Sequence, residues 1–147
     1  MNLSSAGEAL IKGFEDYRSE AYLDSGGTPT IGWGHTGWYS PGTPVAIGQT
    51  CTPDQAGAWF QSDTAWAVSA VNRLISRPMT QNQFDALVDF TYNCGAAALA
   101  HSTVRRDFNE GDSFGAANSL LEWDYAGGSV SAGLEARRKA ERTLFLS

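Results

Sequence analysis

Apolar residues recur at intervals of three and four along several stretches of the chain, the spacing that puts them on one face of a helix. Ala56, Trp59, Phe60, Ala67, Val71 and Leu74 form the longest such stripe and predict a helix ending near Ile75. Its start is marked by Thr52-Pro53-Asp54-Gln55. Thr and Gln three apart can each satisfy a backbone N–H at the other's position, proline suits the first helical residue, and an acid complements the helix dipole. Behind a second such signal, Thr80-Gln81-Asn82-Gln83, the residues Phe84, Leu87, Val88 and Thr91 point inward, and Gly95 marks the stop. Ser5-Ala6-Gly7-Glu8 predicts a capped helix to about Asp16. Three shorter helical pieces are expected over 103–109, 114–123 and 134–145, separated by Gly111 and a Gly127-Gly128-Ser129 loop.

Between the first two helices the pattern changes. Ala21 to Gly34 is rich in Gly, Thr and aromatics and reads as a hairpin turning at Ser25-Gly26-Gly27. Trp38 to Thr50, with Pro41, Gly42, Pro44 and Gly48, reads as an irregular excursion. The expectation is an α+β fold in one domain, 1–147, with a small N-terminal β-hairpin lobe and a larger helical lobe.

At 147 residues, 42% hydrophobic and 18% charged, the chain has the composition of one globular domain, and no apolar run approaches the roughly 20 residues of a membrane span. Met1 to Glu15 shows no basic segment followed by a long apolar run, so neither a secretory signal nor a membrane anchor is expected. A net charge of −6 argues against nucleic acid or anionic lipid as a partner. The one basic cluster, Arg137, Arg138, Lys139 and Arg142, reads as a solvated helix face interrupted by Glu135 and Glu141. Cys51 and Cys94 lack metal-site or redox spacing and read as free, mostly buried thiols. No metal and no cofactor is expected, and the chain reads as a monomer.

Two carboxylates facing one cleft are what glycosidic hydrolysis requires, one to protonate the leaving oxygen and one to activate water or attack the sugar. Glu15, at the end of the first helix, and Asp24, at the hairpin turn, supply such a pair, and Thr30 on the returning strand could hold a water against Asp24. A Glu and an Asp at this spacing are by themselves uninformative.

Their surroundings carry more: Gly13-Phe14-Glu15, Ala21-Tyr22-Leu23-Asp24 and Thr30-Ile31-Gly32-Trp33-Gly34-His35, then Thr80-Gln81-Asn82-Gln83-Phe84, Asn93-x-Gly95, Trp123 and Gly133-Leu134-x2-Arg137-Arg138-x2-Glu141-Arg142. In this order the set resembles the phage lysozyme (endolysin) family, glycoside hydrolase family 24, over nearly the whole chain. The resemblance implies a lysozyme-like fold with an active-site cleft between its two lobes. It implies Glu15 as general acid, Asp24 as the group activating water and Thr30 as its positioner, acting with inversion. It further implies substrate or acid positioning by Asn93 and Arg137, the latter approaching the acid from the last helix, and a structural His35–Asp63 ion pair between lobes.

The activity implied is a muramidase cutting the β-1,4 bond between N-acetylmuramic acid and N-acetylglucosamine in bacterial peptidoglycan. The enzyme would stay in the host cytoplasm until a membrane lesion releases it to lyse the cell. A lytic transglycosylase and a catalytically inactive wall-binding module remain as alternatives. Trp33, Trp38, Tyr39 and Tyr125 are candidates for stacking on sugars.

Overall fold

The computed structural model describes all residues, Met1–Ser147. Along the chain run α1 (Ser5–Glu15), β1 (Arg18–Leu23), β2 (Pro29–Gly32), β3 (Trp38–Ser40), β4 (Thr43–Pro44), α2 (Pro53–Leu74) and α3 (Gln81–Cys94). There follow α4 (Ala96–His101), α5 (Thr103–Glu110), α6 (Ser113–Leu120), β5 (Tyr125–Ala126), β6 (Ser129–Val130) and α7 (Ala132–Phe145). The chain divides into two compact units: Lys12–Ala65, and Met1–Ile11 together with Trp66–Ser147.

Lys12–Ala65 contains the two N-terminal hairpins. In the first, β1 and β2 are antiparallel, with Tyr22 opposite Thr30 and Leu23 opposite Pro29. At the end of β2, Ile31 exchanges N–H···O bonds of 2.9 Å in both directions with His35. The loop so closed puts Gly32 at φ 66° and Gly34 at φ 76°, in the left-handed region where a side chain is strained. Gly32 has a second reason to be glycine, since a Cβ there would lie 2.9 Å from the Cβ of Ala56. The Gly32-Trp33-Gly34 pattern therefore specifies one tight loop.

Trp38 to Thr50, expected to be irregular, folds partly into the β3–β4 hairpin, with Trp38 opposite Pro44 and Gly42 at φ 77° in its turn. Strands of three and two residues are too short to leave an alternating pattern in the sequence. α2 begins at the expected cap: the Gln55 N–H donates to Thr52 Oγ1 at 3.2 Å, and the Thr52 N–H donates to Gln55 Oε1 at 2.9 Å.

In the other unit α3 is the central element. Phe84 through Thr91 are all buried, so the helix is covered all round. Its cap is a complete box in which Thr80 and Gln83 bond to each other's backbone N–H, and Gly95 ends it. α7 lies against α3, and the core between them is closed by edge-to-face ring pairs, Phe90 with Trp123 and Phe108 with Phe145. The α2 stripe is buried at Ala56, Phe60, Ala67 and Val71 as expected, but it ends on Ile75, while Leu74 is half-buried.

Three expectations are corrected. The first helix is capped by Ser4 rather than Ser5: Ser4 Oγ accepts from the N–H groups of Ala6 and Gly7, and Ser5 is already helical. Ser4 takes this place because Asp85, wholly buried on α3, accepts from its N–H and its hydroxyl. The Ala-rich segment after Gly95 forms α4, which a glycine stop followed by no capping side chain gave no reason to expect. Gly127-Gly128 is the turn of the small β5–β6 hairpin, with φ values of 59° and 85°.

Candidate active site

Glu15 is the last residue of α1. The helix stops because Asp16 adopts φ 53°, a conformation that Asp tolerates better than most residues. Glu15 is half-buried, and the Gly34 backbone runs close beside it: a Cβ on Gly34 would lie 3.6 Å from Glu15 Oε2. A side chain at 34 would strain the loop, while its Cβ would only reach van der Waals contact with the acid.

Asp24 closes β1 and builds the hairpin turn. Its Oδ1 accepts from the backbone N–H groups of Gly26 and Thr28, both at 2.8 Å. Its own N–H donates to the Thr28 carbonyl at 3.0 Å, and its carbonyl accepts from Gly27 at 2.9 Å. Oδ1 is therefore committed to the turn, and Oδ2 is the oxygen left for a ligand. Thr30, 3% exposed on β2, donates its hydroxyl to the Thr28 carbonyl at 2.9 Å. With that proton committed, Oγ1 faces any further partner as an acceptor. The 24–30 segment thus fixes one carboxylate oxygen and one hydroxyl oxygen, both as acceptors.

His35 is buried, with Nδ1 2.8 Å from Asp63 Oδ2 and Nε2 3.0 Å from the Trp38 carbonyl. Its ring stacks on Trp59 at 4.7 Å and 9°. Both members of the pair lie in Lys12–Ala65. Trp33 is packed rather than presented: Tyr17 lies 4.9 Å from its ring and Lys12 Nζ lies 4.6 Å from its centroid.

In the other unit, Asn93 and Tyr125 line a groove of about 350 Å³ with Cys94, Glu122, Trp123 and Leu134. Asn93 Oδ1 accepts from Arg138 Nη2 at 2.8 Å, so the amide's NH2 is the half available to a ligand. Arg137 is gripped by Asp89, Nη2 to Oδ1 at 2.6 Å and Nε at 3.2 Å, and both residues are buried. Arg138 and Glu141, each wholly buried, pair at 2.7 Å, and Arg138 Nη1 also donates to Cys94 Sγ at 2.8 Å. The doublet expected on a solvated face is in fact interior, while Lys139 is exposed and Arg142 half-buried. Sequence reasoning missed Asp85, Asp89, Arg138 and Glu141. The available signal was two aspartates four apart inside the apolar Phe84–Phe90 run, which demand buried partners.

Cys94 and Cys51 are free and half-buried. Burial, outweighing Arg138, raises the Cys94 thiol above its ordinary range. Burial, reinforced by the negative Asp89, raises Glu141 well above the usual carboxyl range. No group of three or more His, Cys, Asp or Glu side chains is placed to hold a metal, and no helix is long and apolar enough to cross a membrane.

Residues 12–141 match the family profile described as phage lysozyme. The endolysin of Salmonella phage P22 is 42% identical over 147 residues, covering 100% of this chain and 99% of that protein. A crystal structure of a P22 lysozyme mutant superposes with a TM-score of 0.94 at 41% identity, over 100% of this chain and 99% of the other. The muramidase domain of SpmX from Asticaccaulis excentricus gives 0.88 at 39% identity, over 99% and 98%.

Proposed function

The chain belongs to the phage lysozyme family and is a glycoside hydrolase of lysozyme type, and from that premise we propose how its residues cut the glycan. The substrate is the β-1,4 bond between N-acetylmuramic acid and N-acetylglucosamine in peptidoglycan. Glu15 gives its proton to the glycosidic oxygen as the C–O bond breaks. A water attacks the anomeric carbon from the opposite face and loses its proton to Asp24, so the product carries inverted stereochemistry.

One observation carries the assignment of the water. The hydroxyl proton of Thr30 is committed to the Thr28 carbonyl, so Thr30 can only accept. Asp24 Oδ2, with Oδ1 tied to two N–H groups, accepts too. A water donating one O–H to Asp24 and the other to Thr30 has both protons occupied, and the lone pair left over is the nucleophile. Proximity and orientation of this kind are a main source of enzymatic rate.

Asn93 contributes N–H donors to the glycan, and Arg137, held by Asp89, is a positioning residue. Residues 1–147 work as one catalytic domain and as a monomer. The enzyme waits in the host cytoplasm and reaches the wall through a membrane lesion made by another protein.

Digestion of purified peptidoglycan by the parent and by Glu15→Gln tests the chemistry. Reducing N-acetylmuramic acid ends from the parent and none from the variant are expected. Anhydro ends would make the enzyme a transglycosylase, and equal activity of the two proteins would remove Glu15 from the mechanism.

A further inference from the structure

Trp38 is 64% exposed, yet its backbone is held on several sides. Its carbonyl accepts from His35 Nε2 at 3.0 Å, it pairs with Pro44 across the hairpin, and the adjoining Gly37 carbonyl accepts from Val45 at 2.7 Å. An exposed indole on a fixed backbone is a contact surface that needs no ordering when a ligand binds. With Tyr39, Ser40, Pro41, Gly42 and Trp59 it lines a shallow recess of about 480 Å³.

The rings of this recess are positioned by His35. Its imidazole stacks on Trp59, and its Nε2 fixes the Trp38 main chain, while Asp63 sets the ring's orientation from the other side. Tyr39 lies 5.4 Å from Trp59 and donates its hydroxyl to the Thr50 carbonyl at 2.7 Å, so it offers its ring to the recess. None of the six lining residues is charged.

We propose that this recess is a saccharide-binding site for an uncharged N-acetylhexosamine unit of the glycan strand, whose C–H face stacks on Trp38. The proposal rests on the lysozyme reading above. The chemistry of the lining selects among the parts of the polymer. Stem peptides and lactyl carboxylates bring negative charge, and the recess has no cation to meet it. The chain's own net charge of −6 opposes an anionic wall, so an uncharged contact is the kind that adds affinity. Aromatic platforms also serve the sugar because their few rotatable bonds cost little entropy on binding.

Chitotetraose titrated into the Glu15→Gln protein, followed through the indole N–H signals, tests the site. The Trp38 and Trp59 signals should move, and Trp38→Ala should raise Kd at least about fivefold while Trp38→Phe recovers most of the binding. With Glu15 intact, Trp38→Ala should raise KM on peptidoglycan and leave kcat and the thermal midpoint in place. Static indole signals, a Kd indifferent to Trp38→Ala, or an equal response to the free stem tripeptide would overturn the proposal. If Trp38→Ala changed self-association and not sugar binding, the recess would be an interface between copies and the proposal would fall. If the parent bound chitotetraose through Trp38 yet released nothing from peptidoglycan, the lysozyme reading would fail and the sugar site would stand.

Discussion

Replacing Thr30 with valine preserves the branched shape of the side chain and removes one oxygen. That oxygen donates at 2.9 Å to the Thr28 carbonyl and, in the mechanism above, accepts one O–H of the attacking water. Without it the water keeps only its bond to Asp24 and turns about that bond. Deleting one preorganised hydrogen bond at a reacting group typically lowers turnover by about 10²–10³, or roughly 3–4 kcal/mol. The structural cost is smaller. Thr28 is exposed, so water replaces the lost donor on its carbonyl, and the net loss is about 0.5–1.5 kcal/mol, offset in part by a buried methyl worth about 0.8 kcal/mol. Thr30→Val should therefore fold with nearly the parent's stability and lose almost all activity, while Thr30→Ser, which keeps the oxygen, should stay within about tenfold of the parent. Reducing-end release from purified peptidoglycan and urea unfolding of the same preparations measure both quantities. A valine variant with more than about a third of parental activity, or a serine variant as inactive as the valine one, refutes the role given to the hydroxyl.

Three other changes probe the scaffold. Asp89→Ala strips the buried Arg137 of its main carboxylate and should cost on the order of 3–5 kcal/mol in chemical unfolding, since the buried guanidinium loses its shortest hydrogen-bonded anion. Gly7→Ala would normally favour a helix by about 1 kcal/mol, but here the new Cβ would lie 2.5 Å from Leu3 Cδ1 and 2.7 Å from Asp85 Cγ. The urea midpoint should fall, by the equivalent of about 1–3 kcal/mol. Glu141 binds its proton more tightly in the native state than in the unfolded one, because burial and Asp89 raise its pKa, so parental stability should decline as pH rises from the ordinary carboxyl range towards the raised value. Glu141→Gln lacks that titration, and melting curves should show the stability difference shifting in the variant's favour as pH rises; a difference constant with pH would show that Glu141 titrates alike in both states.

What the sequence disclosed and what it hid divide along a physical line. Thr52-Pro53-Asp54-Gln55 and Thr80-x-x-Gln83 announced the starts of α2 and α3 because a cap is a contact between residues three apart, legible without knowing anything distant. The Gly32-Trp33-Gly34 loop is closed by Ile31 and His35, four positions apart, but the approach of Ala56 to Gly32 lies in no local pattern. The Ser4 cap was missed because the residue that selects Ser4 over Ser5 is Asp85, eighty-one positions away. The Arg137-Arg138 doublet was misread by the same fault: judged from its own helix it is a charged face, and Asp89, Asn93 and Cys94 on α3 turn it inward. Charge on a helix reports exposure only when no opposite charge waits on the neighbouring element. Asp24 and Thr30 show the converse within a single turn. Their spacing suggested a shared water, but which atom donates and which accepts came from the Thr28 carbonyl, a backbone group to which the sequence assigns no role. Residue types therefore propose the chemistry of this site, and main-chain hydrogen bonds decide its direction.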